Sequence, residues 1–168
     1  MSKPVALITG GGKRIGAAVS KKLMEMGWYV LIHVNSSVDE ARKIISEFSS
    51  SNGGVECGDV LTGNLLLDSD VEELISNVIN HPATISAKGL SGLIHNASIY
   101  DSIEISEVKL DDLKMNLKLH VETPFNLTLG LLDLLKSAKG CIIGMVDTSL
   151  GRSWKGLSHY TSSKAGLR

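Results

Sequence analysis

Aromatic side chains are scarce in this chain, at 4% of 168 residues, and there are only three prolines and two cysteines. So few cysteines exclude a disulfide-stapled scaffold. Cys57 and Cys141 both lie in apolar, strand-like segments, which predicts two buried free thiols in a reducing cytosol and no metal site. No apolar run reaches the ~20 residues that span a bilayer. The opening MSKPVALITG shows neither a signal-peptide cleavage site nor an Arg-rich presequence, so a cytoplasmic chain without a membrane partner is expected. Charge of one sign is missing too. With 17 basic and 18 acidic residues the formal net charge is −1, too little to hold nucleic acid or anionic lipid.

What is present is an alternation. Residues 5–8 form a short apolar run closed by Thr9-Gly10, and residues 14–26 carry apolar side chains at helical spacing with Gly27 at the C-terminal cap position. Strands are predicted at 28–33, 55–59, 89–95 and 140–146, and helices at 38–48, 70–80 and 157–168. Ser37 is placed to cap the helix at 38, residues 49–54 form a polar loop, and Pro82 stands just beyond the helix ending at 80. A long helical stretch at 106–137 contains Pro124, which predicts a kink. Residues 61–67 follow no clear pattern, and there is no repeat or linker. Strand–helix alternation with strands apolar on both faces means a parallel sheet covered on both sides, in one domain spanning 1–168.

Two segments carry chemistry. After the first strand comes Thr9-Gly10-Gly11-Gly12-Lys13-Arg14-Ile15-Gly16, then a helix. Glycines allow a sharp turn and close approach to a pyrophosphate, and the helix start offers free N–H groups. Ile15 stands where G-x-G-x-x-G needs glycine, no Walker pattern follows, and a plain strand-to-helix turn is the simpler alternative. Downstream, Tyr160-Thr161-Ser162-Ser163-Lys164 puts a phenol and an ammonium one helical turn apart. A free phenol titrates near ~10, and a neighbouring ammonium is expected to lower that value into a useful range. Any helix can show this spacing by chance; its position after the glycine turn and a fifth strand gives it weight.

The second strand ends in His33-Val34-Asn35-Ser36-Ser37, with no carboxylate before Asp39. NAD enzymes place an acid there, and its absence removes repulsion of a 2′-phosphate. With Lys13 and Arg14 nearby, NADPH is predicted over NADH, although the same residues could be an ordinary polar helix cap.

In this order the motifs resemble those of the short-chain dehydrogenase/reductases. Gly10 and Gly16 match two glycines of the family's T-G-x-x-x-G-x-G turn, and Arg14 replaces the middle one, as in pteridine and dihydromonapterin reductases. The resemblance implies a Rossmann-like, doubly wound α/β sheet of order 3-2-1-4-5. It implies a nucleotide site drawn from Gly10, Lys13, Arg14, Ile15, Gly16, His33, Asn35, Ser36, Asp59, Val60, Asn96, Ala97, Ser98, Tyr160 and Lys164. Here Asp59 and Val60 would approach the adenine, with a strand-end cap as the plainer role for Asp59. His95-Asn96-Ala97-Ser98 is similar to the family's N-N-A-G segment. Arg14, Ser98 and Tyr100 would contact substrate, Tyr100 by stacking on a flat ring; a core histidine at His95 and a rim residue at Tyr100 are the bland alternatives.

Asp147 stands thirteen residues before Tyr160, where most of the family has Ser. Asp there resembles the pterin-reducing branch and implies a proton relay with Tyr160, unless it merely caps a strand. Asn116 matches the helix Asn that completes the family's catalytic set with Tyr160 and Lys164. The implied activity is NADP(H)-dependent reduction of a small molecule, a pterin-type C=N bond first and a 3-oxoacyl or other carbonyl as the alternative. The family continues past the Tyr/Lys helix into strands not written here, so a truncated, inactive nucleotide-binding fragment is a third expectation. Homo-oligomers, dimers or tetramers, are implied by resemblance alone.

Overall fold

A computed structural model of the chain describes residues 2–152 and 154–168. The strands β1 (Val5–Thr9), β2 (Tyr29–Val34), β3 (Gly58–Thr62), β4 (Gly92–His95) and β5 (Cys141–Gly144) are parallel and lie in the order β3-β2-β1-β4-β5. The helices are α1 (Arg14–Glu25), α2 (Val38–Ser51), α3 (Asp68–Asn80), α4 (Pro82–Ala87), α5 (Leu110–Leu117), α6 (Thr123–Gly130), α7 (Leu132–Ala138) and α8 (Ser158–Leu167). The Rossmann-like order 3-2-1-4-5 expected from the sequence is the order observed.

β1 and β2 are buried along their whole length because helices cover both faces of the sheet. Side chains alternate across a strand. Val5, Leu7 and Leu31 therefore pack with Leu74 of α3, Leu127 of α6 and Leu135 of α7. Ala6, Ile8, Val30 and Ile32 pack on the other face with Met24 of α1 and Ile44 of α2. Among the described residues no helix is long and apolar enough to cross a membrane.

The third strand lies later than the sequence suggests, at Gly58–Thr62 in place of 55–59. α2 runs on to Ser51, and Gly53 and Gly54, at φ 71° and 79°, then turn the chain. Pairing with β2 fixes the register, Leu31 opposite Asp59 and Val34 opposite Thr62. Gly58 suits the crossing, since a Cβ there would stand 2.5 Å from the Val30 carbonyl oxygen. Ser37 occupies the cap position of α2 but makes no side-chain cap bond. Pro82 starts α4, where its missing N–H costs nothing.

The predicted helix at 106–137 is three helices and a π-helical turn, Lys118–Glu122. The turn falls immediately before Pro124, whose nitrogen cannot complete the regular ladder. Thr123 N–H instead reaches back to the Lys118 carbonyl, five residues earlier. Cys57 is buried as expected, but Cys141 is exposed. The reason is that β5 bonds a neighbour on one side only and none of its residues is buried.

Leu74 is fully buried at the centre of the α3 layer. Leu74→Ala should cost ~2–5 kcal/mol of unfolding free energy, read as a lower urea midpoint with an unchanged slope.

Candidate active site

The glycine turn is tied to the end of β4 by reciprocal bonds. Thr9 Oγ1 donates to the Ile94 carbonyl at 3.3 Å and accepts the N–H groups of Asn96 and Ala97 at 3.0 Å each. Asn96 Nδ2 donates to the carbonyls of Thr9 and Gly10, again at 3.0 Å each. This approach demands glycine twice. Gly10 has φ +64°, and a Cβ on it would lie 2.9 Å from Ala97 Cα. A Cβ on Gly16 would lie 2.3 Å from the Gly10 carbonyl oxygen. The first bond into α1 runs from Ala17 N–H to the Lys13 carbonyl, so the N–H groups ahead of it have no partner within the helix. Arg14 opens α1 at φ 50°, and Lys13, Arg14 and Ile15 are exposed there. Lys13 pairs with Glu40 at 2.8 Å.

His33 is buried under this turn. Its Nδ1 accepts from Gly10 N–H at 3.5 Å, and its Nε2 lies 3.0 Å from the Gly63 carbonyl. The ring thus links the glycine turn to the segment after β3.

A cleft opens over these ties. Its walls are Gly10, the run from His33 to Ser37, the run Asn64, Leu65, Leu66, the run Ala97, Ser98, Ile99, and Leu119. Asn35 and Ser36 both line this cleft, and among the described residues no carboxylate does. Asp59 and Val60 do not line it. Because β3 starts three residues late, Asp59 sits mid-strand opposite Leu31, with its carboxylate 3.4 Å from His81 Nε2. From the segment after β3 it is Asn64, Leu65 and Leu66 that line the cleft. The Gly63-Asn64 pair, a turn signal inside the unreadable stretch, was the available clue.

Tyr160 and Lys164 share one face of α8 and are 4% and 2% exposed, so neither faces bulk solvent. Tyr160 O–H donates to Asp147 Oδ2 at 3.0 Å, and Lys164 Nζ donates to the Met145 carbonyl at 2.9 Å, standing 5.9 Å from the Tyr160 ring centre. Tyr100, exposed, meets Tyr160 edge to face with centroids 5.1 Å apart. Asn116 is fully buried; its Nδ2 donates to the Asp112 carbonyl of its own helix, and its Oδ1 has no protein partner.

The electrostatics reverse one expectation. Burial first, and then the Asp147 carboxylate, push the Tyr160 phenol up to about 12. The ammonium does not win because it stands beyond bonding distance while the carboxylate is in contact. Asp147 is held below the usual carboxylate range, chiefly by the Ser149 N–H at 2.7 Å. Burial lowers the Lys164 ammonium.

Sequence reasoning passed over His120, a fully buried residue of the π-helical turn. Its ring joins Ser98 Oγ (2.9 Å) to Ser163 Oγ (2.7 Å) and lies edge to face with Tyr160. A histidine between Leu119 and Val121, one turn after Asn116, was the only signal.

Burial holds His33, His95 and His120 from the ordinary 6.5 down to about 4, with the Lys164 charge adding at His120. The unfolded chain takes up these protons below pH 6.5, whereas the folded chain resists until about 4. Their contribution to stability is therefore complete above 6.5 and lost as the pH falls from 6.5 toward 4. The urea midpoint should drop across that window, and His95→Gln, which retains a partner for Thr128, should shrink the drop. A flat midpoint would contradict this account.

Comparison with known proteins agrees with the geometry. The short chain dehydrogenase family matches residues 4–168. The chain is 26% identical over 168 residues to a 3-oxoacyl-[acyl-carrier-protein] reductase of Synechocystis sp., covering 99% of this chain and 65% of that protein. It is 26% identical over 172 residues to a dihydromonapterin reductase of Enterobacter sp., covering 96% of this chain and 62% of that protein. The chain thus spans less than two thirds of either relative. The crystal structure of FolM alternative dihydrofolate reductase 1 from Brucella suis in complex with NADP is similar in fold, with a TM-score of 0.80 at 24% identity, over 98% of this chain and 65% of that one. Strand order, glycine turn and the Tyr160/Lys164 face together with the match across almost every residue establish that this chain belongs to the short-chain dehydrogenase family.

Proposed function

We propose that this chain binds NADPH in the cleft and reduces a pterin-type C=N bond, with Tyr160 and Asp147 relaying the proton. The observation that carries the reading is the 3.0 Å bond from the Tyr160 phenol to the Asp147 carboxylate. A ketone reductase needs a hydroxyl donor at this place. A carboxylate suits a site that must deliver a proton to nitrogen and then recover one.

The residues suit a phosphorylated dinucleotide. The N–H groups at the opening of α1, unpaired within the helix, suit a pyrophosphate, and the exposed Lys13 and Arg14 stand there. Asn35, Ser36 and Ser37 offer polar groups and no negative charge to a 2′-phosphate. The Brucella suis relative was crystallised with NADP.

In this cleft the bound cofactor would provide hydride chemistry at the carbon of the C=N bond. Tyr160 then gives its hydroxyl proton to the nitrogen. Burial and Asp147 keep the phenol protonated until then, the form a proton donor requires. As the phenolate forms, the like charge beside it raises the proton affinity of Asp147, which takes a proton from solvent and returns it. The nearby Lys164 ammonium offsets the phenolate charge in passing. Asn116, whose Oδ1 has no partner among the described residues, would hold a water and complete the catalytic set. Arg14 and Tyr100 stand exposed at the rim, where a flat, electron-poor ring could stack on Tyr100.

Asp147→Ser should cut dihydropterin turnover by ~10²–10⁴-fold. Unimpaired turnover would count against the relay, and a gain of 3-oxoacyl reduction would favour carbonyl chemistry. Steady-state rates should be higher with NADPH than with NADH; the opposite order would end the cofactor reading.

A further inference from the structure

Ser98, His120 and Ser163 form a hydrogen-bonded chain in which the proposed reaction gives His120 and Ser163 no part, and Ser98 stands beside the Tyr160 phenol. His120 lies between the loop after β4, which lines the cleft, and α8, which carries Tyr160. The proton positions along this chain follow from the distances. Ser163 Oγ is 2.7 Å from the Tyr160 carbonyl oxygen in its own helix. A carbonyl has no proton to give, so the Ser163 hydroxyl proton lies on that line. Ser163 Oγ can then only accept from His120 Nδ1, 2.7 Å away, and Nδ1 must carry hydrogen. The imidazole is buried and neutral, so its Nε2 presents a lone pair. Ser98 Oγ, 2.9 Å from Nε2, donates its proton there in preference to the longer 3.2 Å alternative at the Ile99 carbonyl. Ser98 is exposed and lines the cleft. With its proton directed inward, its oxygen presents lone pairs to the cleft, beside the Tyr160 phenol.

We infer that His120 is a positioning residue that fixes the Ser98 hydroxyl as a hydrogen-bond acceptor, so that the cleft selects a substrate offering an N–H or O–H donor there over one offering only a carbonyl oxygen. The inference rests on the reading of the cleft as a pterin-class reductase site. A ring bearing amino and ring N–H groups can satisfy such an acceptor. A simple ketone cannot, and desolvating the Ser98 oxygen without a partner counts against it.

The tautomer can be read without any turnover. A nitrogen–proton correlation spectrum of the wild-type chain with isotope-labelled histidine should show His120 in the Nδ1–H form. Its signals are those lost in His120→Phe, or shifted at Nε2 in Ser98→Ala should the first variant fail to fold. The Nε2–H form, or exchange between the two, would overturn the assignment whatever the chain catalyses.

The selection is read by kinetics. His120→Phe and Ser98→Ala should each raise the KM for a dihydropterin by about tenfold. In His120→Phe, where the hydroxyl is free to turn outward, the KM for NADPH should hold and that for a simple ketone should hold or fall. An equal loss for both substrates would overturn the selection. Absence of dihydropterin turnover in the wild type, with the Nδ1–H tautomer present, would instead remove the proposed substrate and leave the His120 assignment standing.

Discussion

The reciprocal bonding of Thr9 with Asn96 is the constraint on which the rest of the site depends. Parallel strands deliver their loops to one edge of the sheet, but adjacent strands alone do not bring two loops into backbone contact. Here one hydroxyl and one amide satisfy five backbone groups between them and draw the glycine turn against the β4 loop. Gly10 and Gly16 follow from that closeness, since neither position has room for a side chain. His33 extends the same logic sideways by bonding the turn to Gly63. Three loops from three strands thus share one floor, held by buried uncharged groups that do not compete with an anionic ligand.

The second half of the site hangs from that floor by α8. Lys164 is anchored to the backbone just beyond β5, Tyr160 to Asp147 in the following loop, and Ser163 to His120 across the helix layer. Two of these three side chains are held by the loop after β5 and the third by the π-helical turn, so rolling or sliding the helix would break at least one bond. The phenol is consequently fixed in direction and kept protonated, while the ammonium is close enough to act on the charge that appears once the proton leaves. A resting phenol stabilised by a carboxylate and a reacting one stabilised by an ammonium are complementary demands met by two neighbours.

The parallel, two-sided sheet and its central elements were legible because β1 and β2 are apolar on both faces and their helices keep strong apolar periods, while the strand order came with the family resemblance. The glycine turn, the polar segment after β2 and the Tyr160/Lys164 face were legible as local patterns. Asp59 misled because a short, half-exposed strand carries little periodicity, and its register is decided by pairing with β2, not by its own residues. Cys141 misled because an apolar run reads as core whether or not anything covers it. The Tyr160 shift was hidden because its largest cause is burial, a property of the packed chain, and the bonds of His120 because Ser98 and Ser163 are distant from it in sequence.

The widened turn at Lys118–Glu122 has a consequence for how this helix layer tolerates insertion and deletion. A π-helical turn is a regular helix holding one residue too many, with the surplus absorbed locally. Shortening this stretch by one would leave α5 and α6 in phase with their neighbours and erase only the slot that seats an imidazole. The same deletion made inside α6 would rotate Leu127 by about 100° away from the sheet. The bulge is thus a place where the scaffold can gain or lose a polar side chain beside the reacting centre while its packing faces stay aligned.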